Sequence, residues 1–539
     1  MSGSEAAARP PTTFSPFRHK TYRTLWLSSQ ASNLGGLIQS VGAAWLMTDL
    51  TDSPTMIALV QSSITLPIMV FSLTAGVFAD SFNRRRIMLF AQCFMLTVSS
   101  ILAVLAYFDF LNAWLLLSFT FLIGCGVALH NPSWQASIRD LVPREELHAA
   151  VALNSVGFNL MRSIGPAIGG MVVAVGGAAF AFAMNAVSYV SIIIALTVWS
   201  PPDEARRLPN ESFFAALSTG LRYVSMSHHL LRVILRGGLF GFAAVSILAL
   251  MPVVARDSLG GSAITYGILL GCFGLGAIGG AFSSGWLRVR LGNERLVELG
   301  FGSYALGTLC FALSPNAVLA GISLLGCGCG WVLVQSTLNV SIQRGSPRWI
   351  LGRALSMHQT TVFGGMAIGA WMWGRVSDEW STTAALLVAT AILVCGIVLG
   401  VVSRIVDVDS DELEPAEGFS SARPRMNLMA RSGPILISVE YEIDHDSEEQ
   451  FLAVIKERRR MRMRDGARHW TLARDLENPD LWTESFYFPT WSKYHLYNLR
   501  RTSHELLIEQ RLATMTRDHG GIRERRQLER PHFWLDGHH

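Results

Sequence analysis

The sequence predicts an all-α polytopic membrane protein with twelve transmembrane helices in two six-helix pseudo-repeats, followed by a small cytoplasmic α+β domain. Three observations lead to this fold class. Half of the 539 residues are hydrophobic and only 16% are charged, whereas soluble proteins carry about 25% charged residues. Charged residues are scarce between residues 25 and 403 and dense from residue 404 onwards. Finally, a repeated register of residues relates the two halves of the apolar region.

The apolar segments are hydrophobic on all faces, as helices in contact with lipid must be. A large soluble enzyme would instead have amphipathic helices around its core. About twenty apolar residues cross the hydrocarbon as a helix, so polar and Gly/Pro turns divide the chain into twelve predicted spans. The spans cover residues 25–48, 55–79, 87–107, 114–138, 147–175, 178–199, 230–254, 264–287, 295–313, 318–342, 354–376 and 383–402.

Positively charged loops set the predicted orientation. Arginine-bearing loops follow every second span, beginning with the loop at 84–86, and the other loops contain almost no lysine or arginine. By the positive-inside bias, the arginine-bearing loops are cytoplasmic. Both termini, including the polar lead-in 1–24, are then cytoplasmic, and the protein is expected in the cell inner (cytoplasmic) membrane. The lead-in has no short apolar core before a cleavage site, so the first span is expected to be retained.

The two halves repeat each other with a constant offset. SIRDLVPRE begins at Ser137 and SIQRGSPRW begins 204 residues later, at Ser341. The same offset relates Gly76 to Gly280 and Gly165 to Gly369. Because the same offset of 204 residues holds across four spans, the sequence predicts two homologous six-helix halves, 25–200 and 230–404. The polar central loop 201–229 joins them. Such duplication is typical of transporters whose substrate site lies between the halves near the bilayer midplane.

The loop GVFADSFNRRR at 76–86 resembles the loop between the second and third helices of the major facilitator superfamily. That family's pattern is Gly-x-x-x-Asp-x-x-Gly-Arg-(Arg/Lys)-(Arg/Lys), and this sequence matches it at Gly76, Asp80, Arg84, Arg85 and Arg86. The resemblance covers roughly residues 15–405. It implies that Asp80 and the arginines close the cytoplasmic face while the substrate site faces outward.

Two positions depart from the pattern of the superfamily. Asn83 stands where the family usually has glycine, and a left-handed turn tolerates asparagine. The second-half copy keeps Arg288 and Arg290 but has Ser284 in place of the aspartate. The predicted latch is therefore one-sided, and the arginines at 84–86 also act as topogenic charges.

The fifth span contains NLMRSIGPAIGG, with Arg162, Gly165, Pro166, Gly169 and Gly170. Small residues on one helix face allow close helix approach. The segment resembles the glycine-proline motif in the fifth helix of superfamily antiporters, which are generally exporters. The resemblance therefore favours efflux over uptake.

Ionisable residues at membrane depth are functional candidates by default. Arg162, near the middle of the fifth span, is predicted either to attract an anionic cargo group or to pair with a neighbouring carbonyl or amide. His130 and His358 either carry a proton or make packing hydrogen bonds. Asp49 is either a proton-binding carboxylate or a helix-end residue.

A central cavity rich in amide and aromatic side chains suits a large polar or amphipathic organic molecule, and not a metal ion, which would require clustered carboxylates. Its predicted lining is Gln30, Asn33, Trp45, Gln61, His130, Asn159, Arg162, Gln335 and His358.

The remaining sequence features concern the energy source and other classes of site. The sequence contains no P-loop motif, so it gives no sign of an ATP motor. Protons as the coupling ion are implied by the resemblance alone. All seven cysteines lie in apolar segments, so we predict neither a disulfide framework nor a metal site. We also predict no cofactor and no catalytic residue. The net charge of +4 gives no case for nucleic acid.

The polar segments outside the spans have helix and strand patterns of their own. In the central loop, apolar residues at helical spacing predict an amphipathic helix on the cytoplasmic membrane surface; they are Phe213, Leu217, Leu221, Val224 and Leu231. An acidic linker, 405–433, precedes the domain 434–539. There we predict strands at 435–443, 467–475, 481–489 and 523–529, and helices at 446–466, capped by Asp446, and 503–516. This order indicates a ferredoxin-like domain.

The C-terminal domain resembles the antibiotic-biosynthesis-monooxygenase type of dimeric α+β barrel, and WSKYH at 491–495 matches that family's tryptophan-to-histidine segment. The resemblance allows a homodimer through this domain. A superfamily transporter fused to such a domain resembles the transmembrane secretion effector group, which includes relatives of the enterobactin exporter. Three functions follow: a proton-coupled exporter of a siderophore or amphipathic drug-like compound working by alternating access, a transporter-derived sensor or assembly protein, and a fused monooxygenase-transporter.

Overall fold

The computed structural model describes residues 14–81, 83–200, 213–347, 350–404, 426, 428–429, 431–499, 501–516 and 522–529. The described residues belong to two compact units. The helical unit is drawn from Met1–Pro209, Arg232–Val340 and Leu355–Val406, and the mixed unit from Asn210–Leu231, Ser341–Ala354 and Asp407–His539. The mixed unit thus combines the C-terminal domain with two short earlier segments, one of which comes mostly from the polar central loop.

Long helices account for most of the first 402 residues. They are α1 (Lys20–Leu50), α2 (Pro54–Ser81), α3 (Arg84–Tyr107), α4 (Ala113–Leu141), α5 (Leu147–Val198), α6 (Phe213–Met226), α7 (His228–Val253), α8 (Ala263–Ala312), α9 (Ala317–Arg344), α10 (Leu351–Glu379) and α11 (Thr382–Val402). Among the described residues, eight helices are long and apolar enough to cross a membrane, namely α2, α3, α4, α5, α7, α8, α9 and α11. The chain is therefore a multi-pass membrane protein.

Two of these helices are broken in the middle. Gly177 in α5 has φ 74° and ψ 177°, and Gly292 in α8 has φ 77° and ψ 172°. A positive φ inside a helical run favours glycine, which has no Cβ to clash with the backbone. Both breaks fall at turns that the sequence predicts between successive spans.

The turn before α3 differs from the prediction at Asn83. Its backbone is extended, with φ −65° and ψ 113°, and its side chain accepts a hydrogen bond from the backbone N–H of Arg86 at 3.3 Å. The predicted left-handed turn is therefore wrong. Asparagine serves as the N-cap of α3 and satisfies one of the free N–H groups at the helix start.

The C-terminal part of the mixed unit contains one antiparallel sheet of four strands. These strands are β1 (Ile435–Glu442), β2 (Arg468–Arg474), β3 (Leu481–Phe488) and β4 (Arg523–Leu528), in the order β2-β3-β1-β4. Residues of β1 and β3 alternate between buried and half-buried, so one face of the sheet covers a core. The four strands lie where the alternating sequence pattern predicts them.

Helices α12 (Glu448–Arg464), α13 (Trp491–Leu499) and α14 (Ser503–Met515) accompany the sheet. The predicted cap at Asp446 is wrong, because a 3₁₀ turn, His445–Ser447, precedes α12 and Ser447 occupies the N-cap without a side-chain bond. The helix ends just before Gly466, whose φ of 123° favours glycine. Helix α13 was not predicted, because its aromatic residues were assigned to a family segment.

The amphipathic central-loop helix forms as α6, but its environment differs from the prediction. Tyr223 and Val224 are each 2% exposed, whereas Leu221 is 48% exposed. The guanidinium of Arg464 lies 4.6 Å from the centre of the Tyr223 ring, and the stem of Arg353 packs against Gly220. The face of α6 that carries Tyr223 and Val224 is therefore covered by protein of the mixed unit.

A buried carboxylate organises the core of the C-terminal domain. Glu484 on β3 is fully buried and accepts hydrogen bonds from the Tyr441 hydroxyl at 2.8 Å, Arg458 Nε at 3.1 Å and Trp470 Nε1 at 2.8 Å. Burial alone would raise the pKa of Glu484, but the neighbouring arginines Arg458 and Arg462 lower it below the usual value. A buried charge persists only with such partners.

The pKa of Glu505, in the first turn of α14, is shifted in the opposite direction. Burial, with a smaller contribution from Asp465, raises its pKa from 4.5 to about 7. Arg501 Nε lies 3.3 Å from one carboxylate oxygen but does not offset the burial. Because the folded pKa exceeds the unfolded one, the folded domain holds this proton more tightly. The resulting stabilisation is complete below about pH 4.5 and is lost as the pH rises through about 7.

We expect Glu505→Gln to remove this pH dependence, because the amide cannot ionise. Between pH 5.5 and 8, the wild-type domain should lose roughly 2 kcal/mol of opening free energy that the variant keeps. Hydrogen–deuterium exchange of α14 peptides in the detergent-solubilised full chain, corrected for intrinsic exchange, measures the difference. The exposed Glu449→Gln change on α12 is the matched control. Parallel pH profiles for wild type and Glu505→Gln would contradict the assignment.

Candidate functional site

The candidate site lies in the helical unit, where the first half (α1–α5) meets the second half (α7–α11). Helices α5 and α8 cross between the halves with their backbones in contact. A Cβ atom built on Gly267 would lie 2.7 Å from the Pro166 carbonyl oxygen and 2.9 Å from Gly170 Cα. A Cβ on Gly274 would lie 2.5 Å from Ser163 Cα. Only glycine, which has no Cβ atom, fits at positions 267 and 274.

The glycines of the fifth-span motif serve two different contacts. Gly165 and Gly169 face α1, where added Cβ atoms would lie 2.9 Å from Leu37 Cδ1 and 3.1 Å from Ile38 Cα. Gly170 faces α8, with the Ala263 carbonyl oxygen 2.6 Å from its virtual Cβ. The motif therefore packs α5 against its own half and against the opposite half at once.

Arg162 lies on α5 beside this crossing, near the middle of the first segment of that helix. Its guanidinium carbon is 5.7 Å from the ring centre of Trp331 on α9 and 6.0 Å from that of Phe273 on α8. Within the described ranges, its side chain has no carboxylate partner at ion-pair distance. Two aromatic rings of the second half thus contact the arginine of the first half, and ring faces attract a cation at this distance.

Amide groups with unused hydrogen-bonding capacity lie in the same interface helices. Gln335, one turn beyond Trp331 on α9, has a buried Nε2 without a hydrogen-bond partner among the residues described. Gln30 on α1 is 6% exposed, and both its side-chain polar atoms lack a partner in the same set. Asn159 instead donates to the Ser155 carbonyl of its own helix at 2.9 Å. Unpaired donors and acceptors of this kind are available to a polar ligand.

Three more predicted lining residues are only partly buried. Trp45 on α1 stacks on Tyr266 of α8 with ring centres 6.4 Å apart, so this pair also joins the halves. Asn33 and Gln61 are half-buried on α1 and α2.

The two predicted histidines have packing contacts inside their own halves. His130 on α4 is buried, and its Nδ1 lies 3.2 Å from Gln92 Nε2 on α3. His358 on α10 is 1% exposed and packs against Gly237 of α7, where a Cβ would lie 2.4 Å from the imidazole. The contact of His130 with Gln92 is of the packing kind. Both ring nitrogens of His358 are buried without a hydrogen-bond partner among the described residues, so its role stays a prediction.

A carboxylate of the second half binds the start of α2 in the first half. Asp378, near the end of α10, accepts hydrogen bonds from Ser53 Oγ at 3.0 Å, from the Thr55 backbone N–H at 3.1 Å and from the Thr55 hydroxyl. The N-terminal end of a helix carries partial positive charge, so an anion there is stabilising. Sequence reasoning missed Asp378, although an acidic residue next to a predicted turn was visible.

Arg256, which follows α7, makes the complementary contact at the end of α1. It donates a hydrogen bond to the Thr48 carbonyl and lies 3.5 Å from Asp52. The C-terminal end of a helix carries partial negative charge, so this cation is also favourably placed. Asp49 is exposed in the same turn, as expected of a helix-end residue. We call Arg256 and Asp378 the helix-end clamp.

The predicted cytoplasmic latch is described only in part. Arg84 forms an ion pair with Asp140 at 2.8 Å, and Arg85 donates to the Leu196 carbonyl at 2.8 Å. Both arginines thus bind near the C-terminal ends of α4 and α5, where cations are stabilising. Arg86 is exposed. The surroundings of Gly76 and the side chain of Asp80 lie outside the described residues.

Comparison with known proteins places the whole chain in one family. The family model described as transmembrane secretion effector matches residues 11–532. Macrolide efflux protein A of Streptococcus pyogenes is 23% identical over 47% of this chain and 66% of that protein. The staphyloferrin A transporter of Staphylococcus aureus is 25% identical over 46% of this chain and 62% of that protein. The chain thus spans slightly less than two thirds of these two relatives.

The enterobactin exporter of Escherichia coli O1:K1 is 28% identical over 66% of this chain and 85% of that protein. Solved structures are similar in fold. A bacterial homolog of the human lysosomal transporter Spinster, inward-facing and unoccupied, has a TM-score of 0.55 at 14% identity, covering 74% of this chain and 96% of that one. A POT family transporter in complex with 5-aminolevulinic acid has a TM-score of 0.60 at 12% identity, covering 73% and 97%.

The backbone contact of α5 and α8 predicts a strong effect of one methyl group. We expect Gly267→Ala to destabilise the solubilised protein by about 1–3 kcal/mol, because the new Cβ overlaps the Pro166 carbonyl. Gly279→Ala on the same helix is the matched control, since a Cβ there meets no atom within 4 Å. Thermal unfolding in detergent measures both variants. Equal melting temperatures for the two would refute the tight crossing.

Proposed function

The chain belongs to the transmembrane secretion effector family of the major facilitator superfamily, and we propose that it is a secondary active exporter of a small organic molecule. The observation that carries this proposal is the family match over residues 11–532. Relatives named as a macrolide efflux protein, a staphyloferrin A transporter and an enterobactin exporter support efflux of a siderophore or an amphipathic drug-like compound. Protons are the proposed coupling ion.

The proposed topology has twelve spans in two six-helix halves. Eight apolar helices, two of them broken at glycine, supply ten segments. Helices α1 and α10, with 31 and 29 residues, supply the other two. Their polar residues, such as Gln30 and His358, make them less apolar, as suits helices covered by neighbouring helices. The arginine-bearing loops support a proposed orientation with both termini in the cytoplasm.

Alternating access is proposed to work through contacts at both ends of the helices. In this orientation, the helix-end clamp of Arg256 and Asp378 lies at the outer face and closes it. Asp80, with the adjacent arginines, is proposed to close the cytoplasmic face in the opposite state. The ion pair of Arg84 and the carbonyl contact of Arg85 support a loop held against α4 and α5.

The C-terminal domain is proposed to be ferredoxin-like and accessory to transport, with a dimer contact between two copies. The strand order β2-β3-β1-β4 and the helix α12 between β1 and β2 support this topology. A second candidate function is sensing through this domain. A cavity of about 420 Å³, lined in part by Arg458, Arg501 and Glu509, supports it by offering room for a small ligand.

Transport by reconstituted protein tests the main proposal. We expect vesicles with an imposed pH gradient to show substrate-dependent efflux with the wild type, and at least tenfold slower efflux with Asp80→Asn, because the neutral amide weakens the proposed latch. Membrane insertion should be unchanged. Asp109→Asn, in a different loop, is the matched control. Undiminished efflux by Asp80→Asn would remove the latch from the proposal, and absence of efflux by the wild type would remove the exporter.

Asp378→Asn should weaken the helix-end clamp by about 0.3–2 kcal/mol, the usual range for a charge at a helix terminus. The outer face would then open more often. In a cysteine-free background carrying Gln61→Cys, we expect a membrane-impermeant thiol reagent to react two- to tenfold faster. Glu379→Gln, the adjacent acid that pairs with Arg375 on its own helix, is the matched control. Equal rates in both variants would exclude a closing role for Asp378.

A further inference from the structure

We propose that the site between the halves selects organic anions, of the carboxylate or catecholate class that chelates metal ions, and that Arg162 binds their anionic group. This inference rests on the proposed export function and names its substrate class. It chooses between the two kinds of cargo that the relatives' names suggest, because a chelator carries acidic oxygens whereas a macrolide carries a basic amine.

The first argument is charge balance at membrane depth. The other charges of the described spans lie nearer the helix ends, and several are compensated. Arg236 contacts Glu294 at 2.8 Å and Arg84 contacts Asp140 at 2.8 Å. Arg162, in the middle of its span, has aromatic rings but no described carboxylate beside it. A cation in the low-dielectric interior is costly without a counter-charge, so the binding of an anion is favoured there and the binding of a cation is opposed.

The second argument is the rigidity of the wall that positions Arg162. Phe273 and Trp331 are 2% and 8% exposed, so their rings are fixed by packing. Trp331 packs on Phe240 with ring centres 5.6 Å apart, and Phe273 packs edge-on against Tyr304 at 6.4 Å. The Tyr304 hydroxyl donates to the Ala244 carbonyl at 2.6 Å. An anchored aromatic cluster of the second half therefore holds the guanidinium in one place.

The third argument concerns the hydrogen-bond donors left for a ligand. Arg162 is half-buried, so part of it remains accessible. A planar guanidinium offers parallel N–H donors that match the two oxygens of a carboxylate or catecholate. Gln335 adds a buried, unpartnered Nε2 donor one turn from Trp331. These donors suit an acceptor-rich anion.

Binding to the wild-type full chain in detergent gives the first test, with quenching of tryptophan fluorescence as the readout. The probes are 2,3-dihydroxybenzoate, its neutral methyl ester and the cationic macrolide erythromycin. We expect the anion to bind at least tenfold more tightly than the ester, which differs only in charge and one methyl group, and more tightly than erythromycin. Equal affinity for acid and ester, or preference for erythromycin, would overturn the inference without any variant having to fold.

Variants of Arg162 give the second test. Arg162→Gln should weaken binding of 2,3-dihydroxybenzoate by 10- to 100-fold and leave binding of the ester unchanged, whereas Arg162→Lys should keep the preference for the anion. Arg375→Gln, which removes an exposed arginine of α10, is the matched control. If Arg162→Gln leaves the affinity for the anion unchanged, or weakens binding of acid and ester equally, Arg162 has a structural role and the inference is wrong.

A transport measurement on the reconstituted protein distinguishes failure of this inference from failure of the exporter proposal. If reconstituted wild type exports erythromycin in preference to the anion, the exporter stands and the inference is wrong. If the anion binds through Arg162 but no probe is exported, the anion site stands and the exporter proposal is wrong.

Discussion

The contact on which the helical unit depends is the crossing of α5 and α8 at Gly170 and Gly267. Lipid tails are as apolar as the side chains they surround, so helices in a membrane associate chiefly by close packing and not by hydrophobic burial. Removing both side chains brings the backbones together, as the 2.9 Å from the virtual Cβ of Gly267 to Gly170 Cα indicates. The same approach carries Arg162 of the first half to Phe273 and Trp331 of the second half.

Sequence patterns predicted the parts of this arrangement that depend on local chemistry. Apolar length predicts the eight described helices that are long and apolar enough to cross a membrane. Alternation predicts β1 and β3, and the small residues of the fifth span predict close packing. The partner of that packing was not predictable, because Gly267 is about a hundred residues from Gly170 and either side of α5 could have faced α1. The neighbours of Arg162 follow from the same long-range contact. The buried face of α6 was missed since a helix that packs on protein has the same apolar spacing as one that lies on lipid.

Several charges of the described residues share one arrangement, from which Arg162 departs. Arg84, Arg85 and Arg256 bind carboxylates or helix C-terminal carbonyls, and Asp378 binds a helix N-terminus. In the C-terminal domain, Arg458 and Arg462 likewise stabilise the buried charge of Glu484, which burial alone would neutralise. Each of these charges has a polar partner that offsets its loss of water. Within the part of the chain that the structure describes, the partners of Arg162 are aromatic faces, which attract a cation more weakly than a carboxylate does in the same surroundings.

The contacts of Arg162 with these aromatic rings depend on how the two halves are arranged, and so does the binding of an anion to Arg162. Phe273 and Trp331 belong to the second half, so any rotation that separates the halves at this level takes both rings away from Arg162. The guanidinium would then lose its only described partners while remaining in a low-dielectric region. An anion bound to Arg162 would stay with it through such a rotation and would compensate the charge in both arrangements. A ligand shifts a conformational equilibrium by its differential affinity for the two states. An anion bound at Arg162 would therefore stabilise the separated arrangement more than the closed one.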